Sequence, residues 1–190
     1  MAREILARPG LEVEALYALP AWLDQPELKL SLPAGRIHAV SPAELERISA
    51  LRSPNQVLVV LKQLPAVIDR AVLTSDLCLY LDGIRDPGNF GTILRIADWF
   101  GLPYVFCSPD CVDLYNPKVI QATMGAFLRV KVVVKELADL RAGFPELPVF
   151  GTHLEGENLY EVTLPAAAII AVGNESQGLR LGAERLLTLR

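Results

Sequence analysis
Three short stretches of this sequence carry residue types that can hold and activate a ligand. They are Asp86-Pro87-Gly88-Asn89, with Arg95 six positions beyond Asn89; Gly151-Thr152-His153; and Gly173-Asn174-Glu175-Ser176-Gln177-Gly178. Pro87 and Gly88 turn the backbone, and Asn89 can accept a free N–H of a first helical turn as N-cap. On the second turn of that helix, Arg95 would reach an anion held at the helix N-terminus, which itself favours negative charge. Gly173 and Gly178 let main chain approach a ligand beside the carboxylate of Glu175. The combined chemistry is anion binding and a glycine-walled ligand loop. Taken alone, the first stretch is equally an ordinary capped connection, and Glu175 is equally a solvated acid at a helix start.

The elements that must position these residues alternate between strand and helix. Residues 77–81, LCLYL, are strand formers; a turn over 82–89 leads into a helix from about Phe90, and Gly101 stops it. Residues 104–107 and 130–134 read as strands, with a polar loop at 108–115 and a helix from 116 to about 127 capped by Asn116 and Pro117. A short helix at 136–142 follows, then a strand at 148–153, a buried strand at 166–172 and helical character over 178–189. This pattern means α/β architecture, a mostly parallel sheet with helices on both faces. All three stretches then lie at the carboxyl edge of one sheet, where ligands of open α/β sheets bind.

This unit spans 76–190. Before it, residues 1–63 read as a small α/β domain: a helix end at 4–6, strands at 13–18, 36–40 and 56–62, a short helix at 20–25, and a helix from Ser41 to about Leu51. Ser41, Pro42 and Glu44 spell its capping box. Residues 64–75 read as a short, partly ordered linker.

Composition excludes several classes. At 190 residues, 52% hydrophobic and 21% charged, the chain is globular rather than disordered. A net charge of −4 makes it no general electrostatic nucleic-acid binder, so any RNA contact is local. No apolar run approaches the ~20 residues of a membrane span, and the N-terminus lacks a secretory h-region. Cys78, Cys107 and Cys111 read as small hydrophobes of a reducing cytosol, so the expected localisation is cytoplasmic. With His38 and His153 as the other soft ligands, no metal-site spacing exists. There is no GxxxxGK[ST] phosphate loop and no GxGxxG after the first strand. Ser176 lacks a GxSxG elbow.

The run Asp82-Gly83-Ile84-Arg85-Asp86-Pro87-Gly88-Asn89-Phe90-Gly91-Thr92-Ile93-Leu94-Arg95-Ile96-Ala97 resembles the first motif of the SpoU-type (TrmH-family) RNA ribose 2′-O-methyltransferases of the SPOUT superfamily. Asn116-Pro117-Lys118-Val119-Ile120-Gln121-Ala122-Thr123-Met124-Gly125-Ala126 is similar to their second motif, and 173–179 to the start of their third. Gln121 departs from a position that is commonly basic. The third motif normally continues through an Ile-Pro pair to a Ser-Leu-Asn segment and a last helix, which this sequence does not reach. The expectation is a missing C-terminal segment and an incomplete form of the family's deep trefoil knot, an exception to un-knotted topology. Residues 1–63 resemble most of the family's small RNA-binding domain, with 49–56 joining the helix to the last strand.

The resemblance implies transfer of a methyl group from S-adenosyl-L-methionine to a ribose 2′-hydroxyl of rRNA or tRNA, without metal, by a homodimer. It implies catalytic roles for Asn89, Arg95 and Glu175. Contacts to the methyl donor would come from Gly151, Thr152, Gly173, Asn174 and Gly178, and contacts to RNA from Arg85 and Lys118. The competing expectation is a non-catalytic RNA-binding relative with a degenerate or truncated methyl-donor site.

Overall fold
A computed structural model of the chain describes residues 1–189 apart from 27, 29–31, 52, 154 and 159. Arg52, inside the 49–56 joining segment, and Arg190 lie outside the described residues. The chain divides into two compact units, Met1–Pro65 and Ala66–Arg190.

The first unit holds helices α1 (Ala2–Ala7), α2 (Pro20–Leu23) and α3 (Pro42–Ile48) with strands β1 (Val13–Ala18), β2 (Ile37–Ala39) and β3 (Val57–Leu61). The sheet order is β2-β1-β3, with β1 parallel to β2 and antiparallel to β3. Leu16, Ala18 and Trp22 form its buried core. The capping box forms: Ser41 Oγ accepts the Glu44 N–H at 3.3 Å, and Glu44 Oε2 accepts the Ser41 N–H at 2.8 Å. α3 ends at Ile48 rather than near Leu51, because Ser49 turns to extended backbone.

The tether is shorter than the 64–75 expected. From Ala66 onward the chain belongs to the second unit. Residues Arg70–Leu73 form a helical turn, α4, and Leu73 is fully buried, with Ile68 and Val72 packed on the same core. Tyr104 Oη accepts the Asp69 N–H at 2.8 Å and donates to the Val67 carbonyl at 3.2 Å. Tertiary packing of Ile68, Val72 and Leu73 on this core is what holds the stretch against the sheet.

The second unit is a five-stranded sheet in the order β6-β5-β4-β8-β7. Its strands are β4 (Leu77–Leu81), β5 (Tyr104–Cys107), β6 (Lys131–Val134), β7 (Val149–Gly151) and β8 (Ala168–Val172), all parallel. Helices α5 (Pro87–Trp99), α6 (Pro117–Thr123), α7 (Leu137–Gly143) and α8 (Leu181–Glu184) connect or follow them. Alternation along β4 sends Cys78 and Tyr80 to one face and Leu79 and Leu81 to the other. The first pair packs with Leu137, Leu140 and Ile169, the second with Phe90, Leu94 and Val105. Burial on both faces is what forces an almost continuous apolar strand.

Strand order decides the site. Successive strands run outward from β4 through β5 to β6, then the chain crosses to the far edge at β7 and returns as β8 beside β4. Leu81 is in register with Val172, so the turns after β4 and β8 leave the sheet side by side. That is the switch point where a crevice opens.

Two helical expectations are corrected here. α6 stops at Thr123, not near 127, because Met124 (φ 50°) and Gly125 (φ 97°) adopt left-handed backbone before a short 3-10 turn at Ala126–Leu128. The tail is helical only over Leu181–Glu184. It then returns extended beside β7: the Thr188 N–H donates to the Val149 carbonyl at 2.7 Å, and the Gly151 N–H to the Leu189 carbonyl at 3.0 Å. Open backbone groups on the edge strand are satisfied in this way, which a helix would not do. Among the described residues no helix is long and apolar enough to cross a membrane.

α5 and α6 meet at Gly91. A Cβ there would lie 2.4 Å from Ala122 Cβ and 2.8 Å from its carbonyl carbon. Gly91→Ala should therefore push the two helices apart and cost about 1–3 kcal/mol, the usual range for overpacking. Urea denaturation would read it as a lower midpoint at an unchanged slope.

Candidate active site
The structure moves the start of α5. Asp86, not Asn89, is the N-cap: its Oδ1 accepts the Asn89 N–H at 2.7 Å, and Pro87 occupies the first helical position. The helix thus begins three residues before the expected Phe90. Asp86 wins because its short carboxylate reaches the N–H three residues on while Pro87 has its φ preset for helix. The consequence is chemical. The amide of Asn89 is not tied to its own backbone, and its Nδ2 donates to Glu175 Oε2 at 3.3 Å. Two of the three expected catalytic residues, distant in sequence, meet across the β4 and β8 exits.

Glu175 rides on a closed loop. The Asn174 N–H donates to the Gly178 carbonyl at 2.9 Å and the Gly178 N–H returns to the Asn174 carbonyl at 2.8 Å. Asn174 Oδ1 accepts from the Ser176 N–H (3.0 Å), the Ser176 hydroxyl (2.9 Å) and the Gln177 N–H (3.3 Å). Its Nδ2 donates to the Gly83 carbonyl at 2.8 Å, tying this loop to the turn after β4. The Asn174 side chain and both of its main-chain groups therefore serve the loop itself, shaping the wall of the cleft. Gly178 needs its glycine for φ +69°. Gly173 needs its own for space, since a Cβ would sit 2.1 Å from the Gly178 carbonyl carbon.

Beside this loop opens a cleft of about 560 Å³, lined by Thr152, His153, Glu155, Gly173, Glu175 and Glu184 among others. Thr152 is held by its N–H on the Ala171 carbonyl at 2.9 Å. Gly151 plays a different part from the ligand contact expected of it. A Cβ there would meet Leu187 Cδ1 at 2.4 Å and Leu179 Cδ1 at 2.9 Å, so its missing side chain admits two leucines under the cleft.

Arg95 is not brought to the Asn89–Glu175 pair within one chain. With α5 starting at Pro87 it stands on the third turn rather than the second. It is about 9 Å along the axis from Asn89 and about 120° round it, by helix geometry. Exposed, it lines a separate cavity of about 500 Å³ with Thr92, Ile96, Trp99, Met124 and Arg129. Of the expected RNA contacts, Arg85 is exposed and meets Asp110 at 3.4 Å. Lys118 is exposed on the first turn of α6, where Asn116 Oδ1 caps its N–H at 2.9 Å.

The sequence places Asp82 in the turn after β4, at the start of the first motif, without a role of its own, and does not single out Ser108, Asp110 or Arg180. In the structure Ser108 Oγ accepts the Gly83 N–H at 2.9 Å and donates to Asp110 Oδ1 at 2.7 Å. That hydroxyl, and then Arg180, hold the Asp110 carboxyl below its ordinary range. The one available signal is Asp82 itself, a charge immediately after an apolar strand, which must find a partner if it is buried too.

The same turn rests on Cys111, whose half-buried Sγ accepts the Ile84 N–H at 3.2 Å. Hydrogen bonds from the Cys107 thiol, the Ser108 hydroxyl and the Ile84 and Gly83 N–H groups lower its thiol below the usual cysteine value. Burial pushes the Cys78 thiol up to about 12. Iodoacetamide at neutral pH should therefore alkylate Cys111 first and spare Cys78 in the folded protein. Peptide mass mapping checks the order, and equal labelling of both would contradict it.

The fold and sequence were also compared with those of known proteins. Residues 76–188 match the SpoU rRNA Methylase family. The 23S rRNA (guanosine(2553)-2′-O)-methyltransferase RlmP of Bacillus subtilis is 26% identical across 94% of this chain and 70% of its own length. A TrmH-family protein structure from Porphyromonas gingivalis superimposes on 100% of this chain and 75% of that one, with a TM-score of 0.85 at 34% identity. The SpoU methyltransferase AviRb of Streptomyces viridochromogenes, solved with AdoMet, shares the fold at a TM-score of 0.79 and 19% identity, over 98% of this chain and 75% of that one.

Proposed function
Because the chain belongs to the SpoU rRNA Methylase family, we propose that it transfers the methyl group of S-adenosyl-L-methionine to a ribose 2′-hydroxyl of RNA. The observation that carries this reading is the Asn89–Glu175 contact at the mouth of a cleft walled by Gly173. The lining fits the methyl donor in three ways. A volume of about 560 Å³ lies within the ~300–1,000 Å³ of small-molecule sites. Gly173 lets the 173–178 loop close on itself, and the closed loop supplies a wall against which an adenosine can lie. Glu155, Glu175 and Glu184 surround a space that would receive a sulfonium and an ammonium.

When bound, the donor supplies a methyl carbon already activated by its sulfonium. What the chain must add is in-line placement of the hydroxyl and stabilisation of the developing alkoxide. Thr152, Gly173, Asn174 and Gly178 form the wall against which the adenosine end packs. Glu175, fixed by the Asn89 amide, accepts the hydrogen bond of the 2′-hydroxyl and takes its proton. Arg95 acts as a cation and not as a base, the role that the five fixed donors of a guanidinium suit. It binds the neighbouring phosphate through its fork and so lowers the hydroxyl pKa. Arg85 and Lys118 add phosphate contacts, which position RNA without reading its sequence.

Our reading includes a homodimer. It is supported by the face around Arg95, where Ile96 (47% exposed), Trp99 (85%), Phe100 (73%) and Met124 (66%) stand together in solvent. Apolar patches of this kind mark association surfaces, and a second copy seated there would take Arg95 out of open water. It also includes the knotted topology of the family, supported by the return of Leu187 and Leu189 against Gly151 after the β8 exit. The free thiols of Cys78, Cys107 and Cys111 support a cytoplasmic setting.

The test is methyl transfer from labelled S-adenosyl-L-methionine to unmodified rRNA and tRNA transcripts. After alkaline hydrolysis, label should remain in dinucleotides, because a 2′-O-methyl group blocks cleavage at that phosphate. Glu175→Gln should lower the rate at least about tenfold, in the range of lost general-base catalysis. Label recovered only in alkali-labile mononucleotides would contradict ribose methylation.

A further inference from the structure
We propose that Asp82 and Arg180 are positioning residues for methyl transfer, a clamp that sets where Glu175 stands. The inference rests on the reading of the 173–178 loop as the catalytic wall.

Asp82 follows β4 directly and is fully buried. Its main-chain N–H donates to the Val172 carbonyl at 2.9 Å, the last residue before the loop. Its carboxylate grips Arg180, just past the loop's end: Oδ2 accepts the Arg180 N–H at 2.7 Å, and Oδ1 accepts Nε at 2.6 Å and Nη2 at 2.5 Å. One residue therefore holds both ends of the segment that carries Glu175. Between the ends, Asn174 adds the link to Gly83, the residue after Asp82. The start of α5, and with it Asn89, hangs from that same turn. Nη1 of the guanidinium meets Asp110 at 3.2 Å, and Nη2 also lies 3.7 Å from Glu136, so three carboxylates fix Arg180.

Two-pronged Arg–carboxylate bonding gives direction as well as attraction. A buried carboxylate without its partner would be driven to find water, which makes the grip all-or-none. Neither residue lines the cleft among the described residues, so their effect passes through the loop and not through substrate contact. In-line transfer punishes small displacements: about 1 Å of misplacement can cost ~100-fold.

The test compares wild type with Asp82→Asn and with the double variant Asp82→Asn/Arg180→Met, which leaves no unpaired buried charge if the single one folds poorly. Two readouts are taken on each folded protein: methyl-transfer kinetics, and amide hydrogen exchange at residues 174–179 against the amides of β4 and β5. The expected result is a kcat lowered about tenfold or more, with KM for S-adenosyl-L-methionine and RNA changed less than about threefold. Exchange should rise at 174–179 alone. A merely structural role would raise exchange throughout the unit and leave kcat of the folded fraction intact. A kcat within about twofold of wild type, or loop exchange unchanged, overturns the clamp. If wild type transfers no methyl group, the proposed function fails on its own, and the exchange data still decide the clamp.

Discussion
Gly173→Ala should abolish measurable binding of S-adenosyl-L-methionine while leaving most of the fold in place. The new Cβ would lie 2.1 Å from the Gly178 carbonyl carbon, 2.3 Å from the Leu179 nitrogen and 2.4 Å from the Gly178 oxygen. All three are main-chain atoms, so no side chain can swing away to make room. The loop must open, and the paired Asn174–Gly178 hydrogen bonds go with it. The cleft then loses one wall. A loss of about 100-fold in affinity, equivalent to ~2.7 kcal/mol, is the expected minimum by calorimetry with the donor or its demethylated product. Thermal unfolding should show a loss of about 1–3 kcal/mol, the range for an overpacked site. Affinity within twofold of wild type would mean that the donor does not use this wall.

Arg95→Lys should act on the opposite quantity. Arg95 is exposed and supports no packing of its own helix, where Phe90, Leu94 and Ala97 face the core. Stability should therefore change by no more than about 0.5 kcal/mol, and donor binding not at all. Methyl transfer should still fall by at least about tenfold, because lysine keeps the charge but loses the planar fork that holds a phosphate in one orientation. Single-turnover kinetics with saturating donor measures this directly. Wild-type turnover in Arg95→Lys would remove Arg95 from the mechanism and leave its groove as an association surface only.

Much of the second unit could be read from the chain because its central strands β4, β5 and β8 are largely buried and its elements are separated by strong punctuation. β4 was visible as LCLYL, and Asn116-Pro117 announced α6 through a cap and a preset φ. Harder to read were choices between neighbouring polar residues. Asp86 and Asn89 are both good caps, and only the three-dimensional turn shows that Asp86 takes the N–H and frees Asn89 for Glu175. That shift of three residues also puts Arg95 on the third turn of α5, farther from the helix start. The tail beyond Arg180 carries helical spacing, yet the open edge of β7 captures Thr188 and Leu189, an effect no local pattern encodes. For the same reason 66–75 read as a tether: Leu73 becomes core only once Tyr104 and Phe144 are folded beside it. The Asp82–Arg180 pair spans nearly the whole unit in sequence, and register between β4 and β8 alone brings it together.

The measurement that tests the central claim most directly is calorimetric titration of S-adenosyl-L-methionine into the wild-type chain, with Gly173→Ala alongside. The account predicts saturable micromolar binding to the wild type, about one donor per chain, and none to the variant. Absence of binding to the wild type at millimolar donor, in a protein that melts cooperatively, would contradict a methyltransferase built on this cleft.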